Sequence, residues 1–304
     1  MPELPEVQTI VGDLNKKVLG RKILGIWLDW PKHLNLLENR KGVLKLIKKP
    51  ELKVFEKIIK GRKIIKAYRR AKNILIDLSD GYIMLVHQKM TGHLLVGKWK
   101  IIGNKAVALS PESIISDSYN RFVHVVFILN DGNMLALSDV RKFAKIILGK
   151  KEDLMNLPEV KYLGPEPLDE NFKFGDFKAI ISKKTGKIKQ VLMDPKNISG
   201  IGNIYSDDIL WLAKLNPFRP ANKISDSELK NLFKAIRIVL QKAIKLRGTS
   251  ISDFRDTAGK KGMYGEKLLT YQREGGKCFR NDGGIIIRKK IGGRSAHYCP
   301  VCQK

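Results

Sequence analysis

The sequence predicts an α+β chain of several domains. Three observations carry this. Its 304 residues are long for one hydrophobic core and comfortable for two or three domains. The first half alternates short apolar runs with turn signals, the pattern of strands. Beyond a proline-rich, acidic stretch the apolar spacing becomes helical, and from about residue 271 it turns β-like again around cysteines.

The elements follow in order. The chain opens MPELPEVQTI, with no basic flank and apolar run of an export signal. Pro5 suits a first helical position. Val7, Ile10, Val11 and Leu14 then recur at helical spacing, and Gly20 stops the run. This predicts a helix over 5–19. Strand-like runs follow at 22–30, 63–70, 73–78, 82–90, 124–129 and 134–140. The Asp-Gly pairs at 80–81 and 131–132 separate neighbouring runs, as in hairpins. Segment 41–72 holds 13 Lys/Arg and two Glu, but its interleaved Val, Leu and Ile keep it globular. The stretch LGPEPLDE at 163–170 reads as a linker. Helical patterns fall at 175–182, 187–193, 203–214 and 226–246. There is no internal repeat and no low-complexity segment.

Charge narrows the function. There are 58 Lys+Arg against 30 Asp+Glu, a formal net charge of +28. Such a field attracts a polyanion, with nucleic acid first among candidates. A lysine-rich proteome is the bland alternative. No apolar run reaches the ~18 residues of a spanning helix, and no lipidation motif ends the chain. Cysteines 278, 299 and 302 are the only three, all near the C-terminus. An odd, clustered count argues against a disulfide framework and for a reducing compartment, hence the cytoplasm, beside the nucleoid.

The first residues can carry chemistry. Initiator Met is normally removed before a small residue such as Pro2, which would expose a secondary amine. Free α-amines titrate near ~7.7–8. A secondary amine attacking an aldehyde carbon gives an iminium that cannot shed its charge by losing an N–H proton. It is therefore an electron sink that drives β-elimination. Glu3 is the nearest proton donor, and Glu6 sits at the helix N-terminus, where the dipole favours an anion. A plain helix start explains Pro5 and Glu6 equally well, but not Pro2-Glu3.

MPELPEV resembles the opening of the formamidopyrimidine-DNA glycosylases. Further signatures of that family follow in order: RRAK at 69–72, MTG at 90–92, DVRKF at 139–143, LGPEPL at 163–168, GIGNIY at 200–205 and GGRSAHYCPVCQK at 292–304. Together they span nearly the whole chain. The resemblance implies an N-terminal β-sandwich with an N-terminal helix, a helical helix–two-turn–helix domain and a C-terminal zinc-finger-like β-ribbon. We expect a catalytic domain at 1–150, a linker at 151–170, the helical DNA-binding domain at 171–268 and the ribbon at 269–304.

The resemblance also assigns roles. Pro2 would be the nucleophile and Glu3 the acid that protonates the opening sugar. Lys72 would act in elimination, and Arg294 would serve the phosphates and the second, δ-elimination. Flipping a base out of duplex DNA costs a few kcal/mol. Met90 and Phe143 would fill the hole, and Arg141 would bond the widowed base. Lys184, Asn203 and Glu6 complete the expected DNA contacts, with Asn203 at a helix start where free N–H groups favour phosphate. Phe122 stands where the family often has a phosphate-contacting histidine. The five histidines lack close metal-pair spacing and read mostly as structural.

The family's C-x2-C…C-x2-C pattern is a tetrahedral zinc site. Here Asn281 replaces the second cysteine, leaving Cys278, Cys299 and Cys302. Asp282, His297 and water are the alternatives for the fourth place of one structural Zn2+. Residues 281–284, NDGG, can also close a hairpin without metal.

The expected function is base-excision repair: removal of oxidised purines (8-oxoguanine, formamidopyrimidines) from damaged double-stranded DNA by a monomer. Cleavage of the abasic site by β,δ-elimination would follow. An endonuclease VIII-type glycosylase for oxidised pyrimidines is the rival within the chemistry, with loop 255–268 deciding. A non-catalytic DNA-binding relative and a basic nucleic-acid scaffold are the rivals outside it.

Overall fold

The computed structural model describes residues 1–251 and 253–304. The chain forms two compact units, residues 1–161 with 247–263, and residues 162–246 with 264–304. Residues 247–263 thus pack in the first unit, although their place in sequence is with the helices.

The first unit begins with α1 (Leu4–Lys17) and β1 (Ile23–Leu28). Then come β2 (Leu34–Arg40), β3 (Val43–Lys48), α2 (Leu52–Ile59), β4 (Ile64–Arg70), β5 (Asn73–Leu78) and β6 (Tyr82–His87). They are followed by β7 (His93–Ile102), β8 (Lys105–Ser110), α3 (Glu112–Ser116), β9 (Val123–Leu129), β10 (Met134–Ser138), β11 (Lys145–Lys150), α4 (Lys151–Met155) and α5 (Pro158–Lys161). One sheet has the order β1-β9-β10-β7-β8, the other β3-β2-β11-β6-β5-β4. All neighbours are antiparallel except β11 and β2. One core draws Ile26, Phe127 and Leu135 from the first sheet and Leu36, Ile74, Met84 and Ile146 from the second. The expected α+β sandwich is therefore present. Both Asp-Gly pairs lie where expected, between β5 and β6 and between β9 and β10.

α1 forms because one face is apolar throughout. Val7, Ile10, Val11 and Leu14 are buried, each contributing about 1.5–3 kcal/mol relative to exposure. Polar bonds fix the helix on β4. The Asn15 amide donates to the Ala67 carbonyl at 2.7 Å, and the Ala67 N–H donates to the Asn15 oxygen at 2.9 Å. Arg69 Nε donates to Gln8 Oε1 at 3.1 Å. The catalytic candidates at the start of α1 are thus held by a helix that cannot slide on its sheet.

The second unit holds α6 (Phe174–Ile181), α7 (Ile188–Met193), α8 (Asn203–Leu212), α9 (Asp226–Lys245) and the hairpin of β12 (Ile287–Ile291) and β13 (Arg294–Tyr298). α9 starts with Ser225 accepting from the Glu228 N–H and Glu228 accepting from the Ser225 N–H, a capping box. The four helices lie within about two residues of the ranges that apolar spacing predicts. Among the described residues no helix is long and apolar enough to cross a membrane.

Candidate active site and metal cluster

In the first unit, Pro2, Glu3 and Glu6 are all buried. Both oxygens of the Glu6 carboxylate hold backbone. Oε2 accepts from the Glu3 N–H at 2.8 Å, and Oε1 accepts from the Thr249 N–H at 2.7 Å. Glu6 therefore joins the start of α1 to the 247–263 segment. Gly248, at φ +80°, makes this possible. A Cβ there would sit 2.7 Å from Glu6 Oε1, and its backbone occupies a region that favours glycine. Arg247 secures the same segment through ion pairs to Asp13 and Asp256 at 2.6 and 2.7 Å.

The α-amine of Met1 is held below its ordinary pKa by burial, partly offset by Glu3, Glu6 and Asp253, with Lys72 lowering it further. Lys72, in the β4–β5 turn, also acts on His87. His87 lies at the end of β6, where it pairs with Asn73 of β5. Burial, then Lys89, Lys72 and Lys145, pull its pKa down to about 3. Its Nδ1 accepts from the Lys89 N–H at 3.0 Å. His87 is thus a neutral ring beside an expected active-site lysine. The sequence reads the five histidines mostly as structural; only the juxtaposition of β5 and β6 singles out His87.

Met90, Arg141 and Phe143 lie on two loops tied together. Thr91 Oγ1 donates to Asp139 and accepts from the Arg141 N–H at 3.0 Å. The other Asp139 oxygen accepts from Ala144 N–H at 2.7 Å. Asp139 has no exposed surface, so the loop of residues 139–144 wraps around a buried carboxylate. Arg141 and Phe143 project outward, with the guanidinium 4.8 Å from the ring centroid, and Phe143 is 52% exposed. Thr91 and Asp139 were inside the MTG and DVRKF motifs, yet their tie needed the structure.

In the second unit, Asn203 opens α8 after Gly200, at φ +89°. Its Oδ1 is buried without a hydrogen-bond partner among the described residues. Lys184 is half-buried, while Lys183 and Lys187 are exposed. Arg294 is exposed at the hairpin tip, beside Gly292 and Gly293 at φ +52° and +72°. A Cβ on Gly292 would lie 2.1 Å from Gln190 Nε2, so a larger residue at the tip would have to push the Gln190 side chain of α7 aside. Lys189, fully buried, bonds Asp207 and donates to the Ser295 carbonyl at 2.7 Å. His297 donates its backbone N–H to Asp207 Oδ2 at 3.0 Å. This charged network, which the sequence did not announce, fixes the strand next to Arg294.

Cys278, Asp282, Cys299 and Cys302 place their donor atoms within 4.8 Å of one another. Cys278 and Cys302 sulfurs are 3.8 Å apart, and Cys299 Sγ is 3.7 Å from an Asp282 oxygen. A tetrahedral site with metal–sulfur bonds of ~2.3 Å has ligand–ligand edges of about 3.8 Å. The cluster can therefore hold a metal ion. His297 is not part of it, since its Nδ1 faces Asp207. NDGG does make a turn, between the bridged residues Lys277 and Ile285, while the hairpin itself closes at Gly292-Gly293. Gly284 is tight against Cys299, with a Cβ there only 2.3 Å from the sulfur.

A β-sandwich with a buried N-terminal amine site, joined in sequence to a helical unit with a cysteine ribbon, defines a class of DNA glycosylase architecture. The model of the formamidopyrimidine-DNA glycosylase N-terminal domain matches residues 1–146, and that of the formamidopyrimidine-DNA glycosylase H2TH domain matches residues 163–255. A formamidopyrimidine-DNA glycosylase of Pelotomaculum thermopropionicum is 40% identical over 100% of this chain and 99% of its own. One from Heliobacterium modesticaldum is 38% identical over the whole of both. The structure of Lactococcus lactis Fpg with DNA containing an abasic site superposes with a TM-score of 0.81 at 30% identity, covering 99% of each chain. Its complex with DNA containing Fapy-dG gives 0.81 at 30% identity, covering 99% of this chain and 100% of that one. The chain belongs to the formamidopyrimidine-DNA glycosylase family.

Proposed function

We propose that this protein removes oxidised purines from duplex DNA and then cleaves the abasic site by β,δ-elimination. The observation that carries the reading is the buried corner at the start of α1, where burial depresses the α-amine of Met1 and Glu3, Glu6 and Lys72 lie close enough to act on it. Once Met1 is removed, the Pro2 nitrogen becomes the terminus in these surroundings. A larger unprotonated fraction makes it a better nucleophile. Its lone pair forms the bond to C1′ as the glycosidic bond breaks and the base departs with a proton. Glu3 protonates the sugar oxygen as the ring opens. The resulting iminium accepts the electrons of the adjacent C–H bond, and the 3′-phosphate leaves; Lys72 assists this proton traffic. Arg294, Lys184 and Asn203 hold phosphates, and Arg294 serves the second elimination. Met90 and Phe143 fill the space of the extruded nucleotide while Arg141 bonds the orphaned base. For Glu6 we propose a positioning role in place of the DNA contact expected from sequence, because both carboxylate oxygens already hold backbone.

The metal we propose is a structural zinc held by Cys278, Cys299, Cys302 and Asp282. Bound there, it would cross-link the loop of residues 278–284 to the chain end and take no part in the reaction.

Borohydride trapping tests the activity. Duplexes carrying 8-oxoguanine opposite C, an oxidised pyrimidine or an abasic site are incubated with protein and reductant, beside a control that retains Met1. A covalent adduct on the 8-oxoguanine and abasic duplexes, absent in the control, is the expected result. Preference for the oxidised pyrimidine would indicate the endonuclease VIII type. Tight binding without adduct on any duplex, with Met1 removed, would leave a DNA-binding relative without chemistry.

A further inference from the structure

Arg255 is among the largest fully buried side chains, 2% exposed, and no role given above uses it. Burying a guanidinium is costly unless its charge is paired and its N–H groups are bonded. Here both conditions hold. Nε donates to Asp117 Oδ2 at 2.5 Å and Nη2 to Asp117 Oδ1 at 3.2 Å, a two-pronged match of guanidinium to carboxylate. Nη1 donates to the Phe254 carbonyl at 2.8 Å. The planar group also lies 4.8 Å from the Tyr119 ring centroid.

What the fork holds lies next to the candidate active site. The Phe254 carbonyl also accepts from Ser250 Oγ at 2.7 Å, and that oxygen accepts from the Gly262 N–H at 2.8 Å. Phe254 shares a core with Val7 and Ile10 of α1. Its neighbour Asp253 is close enough to the α-amine of Met1 to act on it. Arg255 thus ties Asp117 to the residues beside the amine. The stretch that follows is anchored without it. Val96 N–H donates to the Thr257 carbonyl at 2.8 Å, Ser113 Oγ to the Ala258 carbonyl at 2.6 Å, and Thr257 Oγ1 to Asp13 at 2.9 Å. Loss of the fork would release residues 253–254 and leave 256–259 in place.

We propose that Arg255 is a positioning residue for base excision, acting with Asp117 to hold Asp253 and Phe254 beside the amine; this rests on the activity proposed above. In that reaction the amine bonds C1′, and the base leaves from the same carbon. The base therefore arrives among the residues around the amine, Asp253 and Phe254 included. A misplacement of about 1 Å in such surroundings can cost roughly 10²-fold in rate. An abasic site brings no base, so its cleavage does not depend on where residues 253–254 stand. An apolar side chain at 255 would fill the space of the guanidinium but leave the Phe254 carbonyl to Ser250 alone.

The test compares two substrates of the whole protein, a duplex with 8-oxoguanine opposite C and a duplex with an abasic site, by single-turnover rates. Arg255→Leu removes the fork. Arg255→Leu combined with Asp117→Leu removes both charges, so that neither is left buried and unpaired. In both variants base excision is expected to fall about 10- to 100-fold, with abasic-site cleavage within about threefold of wild type. Lysine keeps the charge but not the fork, so Arg255→Lys should recover only part of the excision rate. A purely structural pair would not split the two substrates. Equal losses on both, excision at the wild-type rate in both leucine variants, or failure of all three variants to fold would overturn the proposal. Wild-type protein that excises no base would instead count against the activity itself, so the two failures are distinguishable.

Discussion

Around Glu6, the first unit uses a buried carboxylate to hold two backbone N–H groups, that of Glu3 and that of Thr249, the latter 243 residues from Glu6 in sequence. Around Cys299, the second unit gathers four donors from a short span near the chain end. The first arrangement depends on one glycine and one carboxylate length; neither can change without displacing backbone. The second needs only four donors at tetrahedral spacing. Asn281 adopts φ +54°, and the next residue, Asp282, reaches the cluster with a side chain one bond longer than cysteine's. Where the resemblance implies a C-x2-C pair, Cys278 and Asp282 form a C-x3-D pair whose donor atoms still lie in one cluster. Sites defined by donor positions absorb substitution more readily than sites defined by backbone contacts.

The largest expected effect separates chemistry from scaffold in the first region. Glu3→Gln removes the proton donor but keeps the side chain's size. Base excision should fall about 10²–10⁴-fold, with DNA affinity retained. Single-turnover rates and a binding titration read the two separately; wild-type excision by the variant would remove Glu3 from the mechanism.

The ribbon gives the next effect. Structural zinc supplies roughly 10–16 kcal/mol of apparent binding energy in small fingers, so its loss should unfold the 278–302 region. Cys299→Ser should abolish bound zinc by metal analysis and lower the melting temperature of the second unit. Asp282→Ala should bind more weakly and release zinc to a chelator sooner, and Asp282→Cys should release it later than wild type. Equal release rates for all three Asp282 forms would mean that the carboxylate is not a ligand.

Much of this was legible in the sequence, for identifiable reasons. Helices α6 to α9 have apolar faces at helical spacing, and β5, β6, β9 and β10 are bounded by Asp-Gly turns. Strands β2, β3, β7, β8 and β11 lie outside the runs read from the sequence. The β3 positions alternate only between exposed and half-buried, and Lys45 and Lys48 interrupt its apolar residues. The motif residues were visible because their chemistry is local to a string. His87 beside Lys72, Glu6 against Thr249 and Lys189 beneath Ser295 were not, because each pairs residues from elements that the sequence gives no register for. The place of 247–263 in the first unit was hidden for the same reason. Its anchors, Asp13 and Glu6, lie more than 230 residues away.

A smaller effect sharpens the contrast at Glu6. Gly248→Ala forces a side chain into the left-handed region, at a cost of about 1–3 kcal/mol, and pushes on the Glu6 carboxylate. Chemical denaturation should register that loss. Excision should slow by about 10- to 100-fold through displacement of the α1 start, with zinc content unchanged. Full activity at reduced stability would show that the Glu6–Thr249 bond supports the fold without positioning the amine.

The smallest effect concerns His87 and is read in pH. Its folded pKa, about 3, lies below the ordinary 6.5, chiefly through burial and then through Lys89, Lys72 and Lys145. Between those two values the unfolded chain binds a proton that the folded protein refuses. Stability from this group is therefore complete above about pH 6.5 and declines as pH falls toward 3. In His87→Gln, which keeps an acceptor for the Lys89 N–H, that part of the slope should vanish. Denaturation midpoints measured from pH 7 down to pH 4 should fall less steeply for the variant than for wild type. Parallel slopes would mean that His87 takes up its proton in the folded state as readily as in the unfolded chain, so that the ring beside Lys72 becomes a cation below about pH 6.5.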